Sequence, residues 1–178
     1  GVLKQYSSLE GRVREGKIGT VLNVTGAVTT RELQRIAVEE TRLGIPLIFA
    51  LDVIHGYKTI SPVPLAESCS WDMETIEASA RMAAVEASAA GLQWTFAPMV
   101  DIARDPRWGR VMEGAGEDPY LGSCIARARV RGFQGGDLSA SNTILACAKH
   151  FAGYGASEGG RDYNTVDISD QRLRELYL

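Results

Sequence analysis

Four times along this chain a short apolar run, rich in β-branched residues, breaks off in polar residues and is followed by a segment with helical periodicity. No other feature constrains the fold as strongly. The apolar runs lie at residues 17–24, 46–51, 92–100 and 143–148, and the helical segments at 31–43, 71–90, 119–133 and from 169 onward. Alternating strand and helix imply a parallel sheet with helices outside it. If such a sheet closes into an eight-stranded barrel, ligands are met at the C-terminal ends of the strands. The expected class is therefore α/β: four consecutive βα units, the first half of a (β/α)8 TIM-like barrel. Residues 1–178 are expected to form one partial barrel domain, stopping before the later strands. An open doubly wound sheet is the rival topology, but no first strand-helix turn has the GxGxxG pattern that such a sheet uses for dinucleotides.

The helix signals are local. Val2, Leu3, Tyr6, Leu9 and Val13 recur at helical spacing in an opening helix tail. Thr29 or Thr30 is expected to cap the next helix, with Leu33, Ile36, Ala37 and Leu43 on one face and Gly44 as its stop. Ser70 is expected to cap the helix over 71–90, with Gly91 ending it; Ala78, Ala80, Ala83 and Ala84 suit close packing against a sheet. The helix over 119–133 should turn Ile125, Ala128 and Val130 inward and its arginines outward. Ser169 has the character of a cap for the final helix.

Composition removes several functions. With 45% hydrophobic residues, 23% charged residues and a net charge of −3, the chain offers no electrostatic case for nucleic acid or an anionic membrane surface. No apolar run is long enough to span a bilayer, and no N-terminal stretch reads as a signal peptide. Cys69, Cys124 and Cys147 are too scattered for a disulfide framework and are expected to be buried thiols. Only two histidines are present, neither at ligand spacing with a cysteine, so no metal and no cofactor is expected.

Chemistry is expected at the strand exits. Asp52, directly after a fully apolar run, is better placed to bind a ligand or act as a base than to cap a loop. The segment from Asp101 to Tyr120 is too polar for core and too varied in turn chemistry for a linker. Within it Arg107 and Arg110 flank Trp108-Gly109, where an arginine fork could recognise oxygen pairs and the tryptophan is expected to be a hydrophobic plug. Glu113 and Glu117 are expected to bind arginines rather than to act as an acid/base pair. Lys149 and His150 could form a donor pair for hydroxyl or phosphate oxygens, and Lys149 alone would also suit a Schiff-base lyase. His55, without such a neighbour, reads as a satisfied core group.

These residues carry a resemblance. Asp52-Val-Ile-His-Gly56, then Arg104-Asp-Pro-Arg-Trp-Gly-Arg110 with Glu113 and Gly116-Glu-Asp-Pro119, then Ala148-Lys-His-Phe-Ala-Gly153, stand in the order found in glycoside hydrolase family 3. The sequence most resembles the bacterial β-glucosidase and β-xylosidase branch, from about residue 17 to residue 178. The resemblance implies that the barrel domain holds the terminal, non-reducing sugar of a β-glucoside or β-xyloside. It implies further that Asp52, Arg110, Lys149 and His150 bind the sugar hydroxyls, that Glu113 supports Arg110 from behind, and that the protein is periplasmic or secreted. The branch that acts on N-acetylhexosamines carries a catalytic histidine in the loop after the Lys-His motif. Here residues 152–163 contain none, so that substrate is disfavoured.

The resemblance also implies a retaining hydrolase, which needs a carboxylate nucleophile and an acid/base about 5 Å apart. In the family both arise later in the chain, and Asp170, which precedes a helix rather than ending a strand, is no candidate nucleophile. The expectation is thus a sugar-binding half-barrel without its catalytic carboxylates, whose open edges need the remainder of the barrel or could drive a homodimer. A non-catalytic, vestigial sugar-binding domain is the alternative.

Overall fold

The computed structural model describes the backbone of residues 2–178 and the side chains of residues 8–178. The elements are α1 (Val2–Arg14), β1 (Thr20–Leu22), α2 (Ala27–Arg35, continued by a π turn over Ile36–Glu40), β2 (Ile48–Leu51), α3 (Pro64–Ser68), α4 (Met73–Ala89), β3 (Trp94–Thr95), α5 (Pro119–Gln134) and α6 (Asp170–Arg172, continued by a π turn over Leu173–Tyr177). The expected helical face of α1 falls in part on Val2, Leu3 and Tyr6, whose side chains lie outside the described residues.

The three strands form a parallel sheet in the order β1-β2-β3, with Val21 opposite Phe49 and Ala50 opposite Trp94. Phe49, buried completely, belongs to the main core together with Ile36 of the α2 continuation, Ala84 of α4, Leu92 and Phe133 of α5. α4 and α5 pack closely there because Gly132 has no side chain. A Cβ at that position would stand 2.4 Å from the Glu77 carbonyl oxygen and 2.6 Å from Ala80 Cβ.

The expected four βα units are corrected in two respects. The first three strands are shorter than the apolar runs that encode them. The fourth run, 143–148, forms no regular ladder; it lies beside β3 through the bonds Leu145 N to Gln93 O, Thr95 N to Leu145 O and Cys147 N to Ala97 O, with isolated parallel bridges from Trp94 to Leu145 and, just beyond the run, from Met99 to Lys149. The register is uneven: Leu145, Cys147 and Lys149 donate in turn to the carbonyls of Gln93, Ala97 and Pro98, whose spacing along the neighbouring segment is irregular. The Pro98 carbonyl accepts from Lys149 N at 3.1 Å, so the fourth segment keeps a strand-like course without regular pairing. No helix follows it directly; 3-10 turns at Tyr154–Ala156 and Glu158–Gly160 intervene before α6.

Several local expectations also change. α4 is capped by Asp72, whose Oδ1 accepts from the amides of Glu74 and Thr75 at 3.1 Å; Ser70 stands two residues earlier, and Trp71 between them has φ 57°, outside helical geometry. α2 starts after Gly26 with no side-chain cap. Thr30 is instead within its first turn, donating to the Gly26 carbonyl at 3.1 Å and packing against Gly91. Leu43 and Ala78 are exposed, and Val130 is half-buried. The arginines of α5 do not all face outward: Arg129 is 4% exposed and pairs with Glu67 of α3. The three cysteines are free as expected, yet Cys69 is exposed and the other two are only half-buried. Ser169 does cap α6, accepting from Arg172 N at 3.3 Å.

Candidate functional site

Asp52 is the first residue beyond β2, and the backbone that follows it is fixed from the interior. Thr95 Oγ1, fully buried in β3, accepts from Val53 N and donates to Val53 O, both at 3.1 Å. The next carbonyl, that of Ile54, accepts from Arg129 Nη2. The Asp52 side chain itself is 49% exposed and meets Lys149 Nζ at 2.8 Å. A half-exposed carboxylate on a backbone held this way is accessible to a ligand.

Lys149 and His150 reach the same end of the sheet by a different route. Val100 N donates to the Lys149 carbonyl at 2.6 Å, which aligns residues 149–150 with the turn after Met99. Asp101, with its side chain 1% exposed, then accepts from His150 N at 3.0 Å and holds His150 Nδ1 at 2.7 Å through the same oxygen. A carboxylate can only accept here, so Nδ1 carries the proton and Nε2 is left for another group.

The third component lies in the loop that precedes α5. Arg110 and Glu113 form a forked pair, Nε to Oε1 and Nη2 to Oε2, both at 2.7 Å. Hydrogen bonding to Glu113 raises the Arg110 pKa still further, and the Arg110 bond lowers that of Glu113 against the opposing effect of burial. The charges of Lys149 and Asp52 also act on Glu113, which places both pairs in one electrostatic neighbourhood.

Tyr154 joins the parts. Its ring lies edge-on to His150 at 4.7 Å and to Trp108 at 5.1 Å, with the Arg110 guanidinium 5.5 Å from its centre. Its hydroxyl donates to Asp162, which also accepts from Trp108 Nε1 at 2.9 Å. Burial first, and the bond to Asp162 second, push the Tyr154 hydroxyl up to about 12, while those hydrogen bonds lower the Asp162 carboxyl. Trp108 is 1% exposed and is the plug its sequence context indicates.

The structure thus brings together Asp52, Arg110, Glu113, Lys149 and His150. Arg107 is left outside: it pairs with Asp105 at 2.6 Å on the surface, and that bond pulls the Asp105 carboxyl down to about 2. Glu117 makes no ion pair among the described residues, whereas His55 hydrogen-bonds the Ser61 carbonyl at 2.9 Å as a structural group. Asp101, Tyr154 and Asp162 were not predicted. A signal for Tyr154 exists in the glycines around it: a Cβ at Gly155 would stand 2.4 Å from the Ile102 carbonyl oxygen and one at Gly160 2.8 Å from Trp108 N. Only glycines let this loop lie against the Arg-Trp turn.

Chemically the cluster offers one half-exposed carboxylate acceptor, two cationic donors from Arg110 and Lys149, and the ring nitrogen Nε2 of His150. A hydroxyl both donates and accepts, so adjacent hydroxyls of a polyol match this mixture better than an anion or a carbonyl would. Among the described residues no group of three or more His, Cys, Asp or Glu side chains could hold a metal ion. No helix among them is long and apolar enough to cross a membrane.

The chain is similar to known proteins over most of its length. A periplasmic β-glucosidase from Salmonella typhimurium is 42% identical over 166 residues, which are 93% of this chain and 22% of that protein. A β-xylosidase from Formosa agariphila is 36% identical over 159 residues, 83% of this chain and 22% of that protein. Among solved structures, a mutant β-glucosidase from Listeria innocua in complex with laminaribiose superposes with a TM-score of 0.87 at 50% identity, over 90% of this chain and 22% of that one. The chain therefore spans about a fifth of the length of these relatives. Residues 4–178 match the family described as the glycosyl hydrolase family 3 N terminal domain, and the chain belongs to that family, as a TIM-barrel-like α/β domain.

Proposed function

We propose that this chain supplies the subsite for the terminal non-reducing sugar of a retaining, exo-acting β-glycosidase of the β-glucosidase type. Asp52, Arg110, Lys149 and His150 contact the sugar hydroxyls, and Glu113 orients Arg110. The reading rests above all on the convergence of the Asp52–Lys149, Arg110–Glu113 and Asp101–His150 pairs at one end of a parallel sheet. Relatives named as β-glucosidases and β-xylosidases support the substrate class. The nucleophile and the acid/base belong, on this reading, to a part of a longer protein beyond Leu178, together with the rest of the barrel. A periplasmic or secreted location accompanies it, as in the periplasmic relatives.

The test is hydrolysis of a chromogenic aryl β-glucoside by this polypeptide and by the full-length protein, each verified by intact mass. Turnover by the full-length protein and none by residues 1–178 is expected. Turnover by the pure polypeptide would place active carboxylates within these residues. Glucose binding without turnover by the full-length protein would favour a non-catalytic sugar-binding domain.

A further inference from the structure

Beneath the Asp52 exit lies a buried ion pair that takes no part in the subsite. Arg129 of α5 donates through Nη1 to Glu67 Oε2 at 2.6 Å, and the two side chains are 5% and 7% exposed. Glu67 Oε1 accepts from Ser79 of α4 at 2.7 Å, and Ser79 Oγ lies 3.1 Å from Ser61 Oγ. Ser61 closes the circuit, since its N–H donates to the His55 carbonyl at 2.9 Å and its own carbonyl meets His55 Nδ1 at 2.9 Å. The remaining arm of Arg129 reaches the Ile54 carbonyl, two residues past Asp52. Ile54, Arg129, Asp101 and Glu113 line one cavity of about 10 Å³, so Arg129 borders the acids that hold His150 and Arg110.

A buried arginine–glutamate pair is a poor source of stability, because the desolvation of both ions offsets most of their attraction. An apolar pair of similar volume would fill the same space between α3 and α5. Only an arginine, however, has a planar fork that can hold a carboxylate with one nitrogen and a backbone carbonyl with another.

We propose that Arg129, held by Glu67, is a positioning residue for Asp52: by fixing the Ile54 carbonyl it sets the direction in which the Asp52 carboxylate leaves the end of β2. The inference rests on the sugar-binding role proposed for Asp52. It makes the Glu67–Arg129 pair a determinant of turnover at a site it does not touch.

The test is a mutant cycle in the full-length enzyme. Removing Arg129 alone would strand Glu67 as an uncompensated buried charge, so the pair is replaced together, Arg129→Met with Glu67→Leu. This double change is made both in the wild-type background and in Asp52→Ala. A positioning role predicts about a tenfold fall in kcat with little change in KM in the wild-type background, and no further fall once Asp52 is absent. Equal losses in both backgrounds, or no loss in either, would overturn the proposal. Arg129→Lys, which keeps the charge but cannot bridge both acceptors, runs through the same cycle at wild-type Tm if the apolar pair does not fold. The underlying sugar-binding reading fails separately: Asp52→Ala would then hydrolyse the aryl β-glucoside as fast as the wild type.

Discussion

Two strand exits converge on this site and are held by different means. At Asp52 the backbone is fixed, by Thr95 on Val53 and by Arg129 on Ile54, and the side chain is half-exposed, with Lys149 as its partner. At Lys149-His150 no regular ladder is present; single backbone bonds to Pro98, Val100 and Asp101 hold the chain, and the side chains are paired as well, by Asp52 on one and by buried Asp101 on the other. Rigid backbone permits a half-exposed charge to be precise, whereas an irregular segment relies on ion pairs as well to reach the same end. The first exit should therefore be less sensitive in stability than in function to loss of its carboxylate; the second should be sensitive in both.

Asp52→Ala gives the sharpest contrast. In the full-length enzyme it should lower kcat/KM for an aryl β-glucoside by about 3 kcal/mol, roughly a hundredfold, because hydrogen bonds to a charged group are lost where they strengthen in the transition state. Its Tm should fall less than that of Asp101→Asn, because the Asp52–Lys149 pair is half-open to solvent whereas Asp101 is buried; an equal or larger fall would break the comparison. Asp101→Asn reaches the other exit. Loss of the charge that holds His150 should cost about 2 kcal/mol and lower Tm by about 4–8 °C in this domain, with about a tenfold fall in kcat/KM. A variant with unchanged Tm would show that His150 is held by something other than Asp101.

Glu113→Gln should have the smallest effect, about a fivefold fall in kcat/KM, since Arg110 keeps one acceptor and loses the charged fork. It also carries a pH signature. The folded pKa of Glu113 lies below its ordinary value of 4.5, so the pair stabilises the fold above pH 4.5 and this contribution is lost as pH falls through the lowered value. Urea unfolding across that window should show a shallower acid limb in Glu113→Gln than in the wild type, and identical limbs would remove Glu113 from the balance.

The parts of this molecule that were legible in the sequence are those with a local cause. Continuous apolar runs indicate β2 and the Asp52 exit, alanine-rich periodicity indicates α4, and the polar loop indicates glutamates bound to arginines, while the choice of Arg110 for Glu113 comes from the family resemblance. The parts that were not depend on residues far apart in the chain. Nothing around Arg129 distinguishes it from the outward arginines of α5, because its reason to be buried is Glu67, 62 residues earlier. Asp101 reads as one more loop acid until His150 is placed beside it across 49 residues. The apolar run at 143–148 reads as a fourth strand, but only Ile144 of it is buried, and its pairing depends on the unevenly spaced carbonyls of Gln93, Ala97 and Pro98 in the neighbouring segment.

The most direct test of the subsite is a crystal structure of the full-length protein soaked in glucose. One pyranose is expected with its hydroxyls within hydrogen-bonding distance of Asp52, Arg110, Lys149 and His150, and with Glu113 still paired to Arg110. Glucose bound elsewhere, or held at this end of the sheet without contact to Asp52 and Lys149, would contradict the assignment.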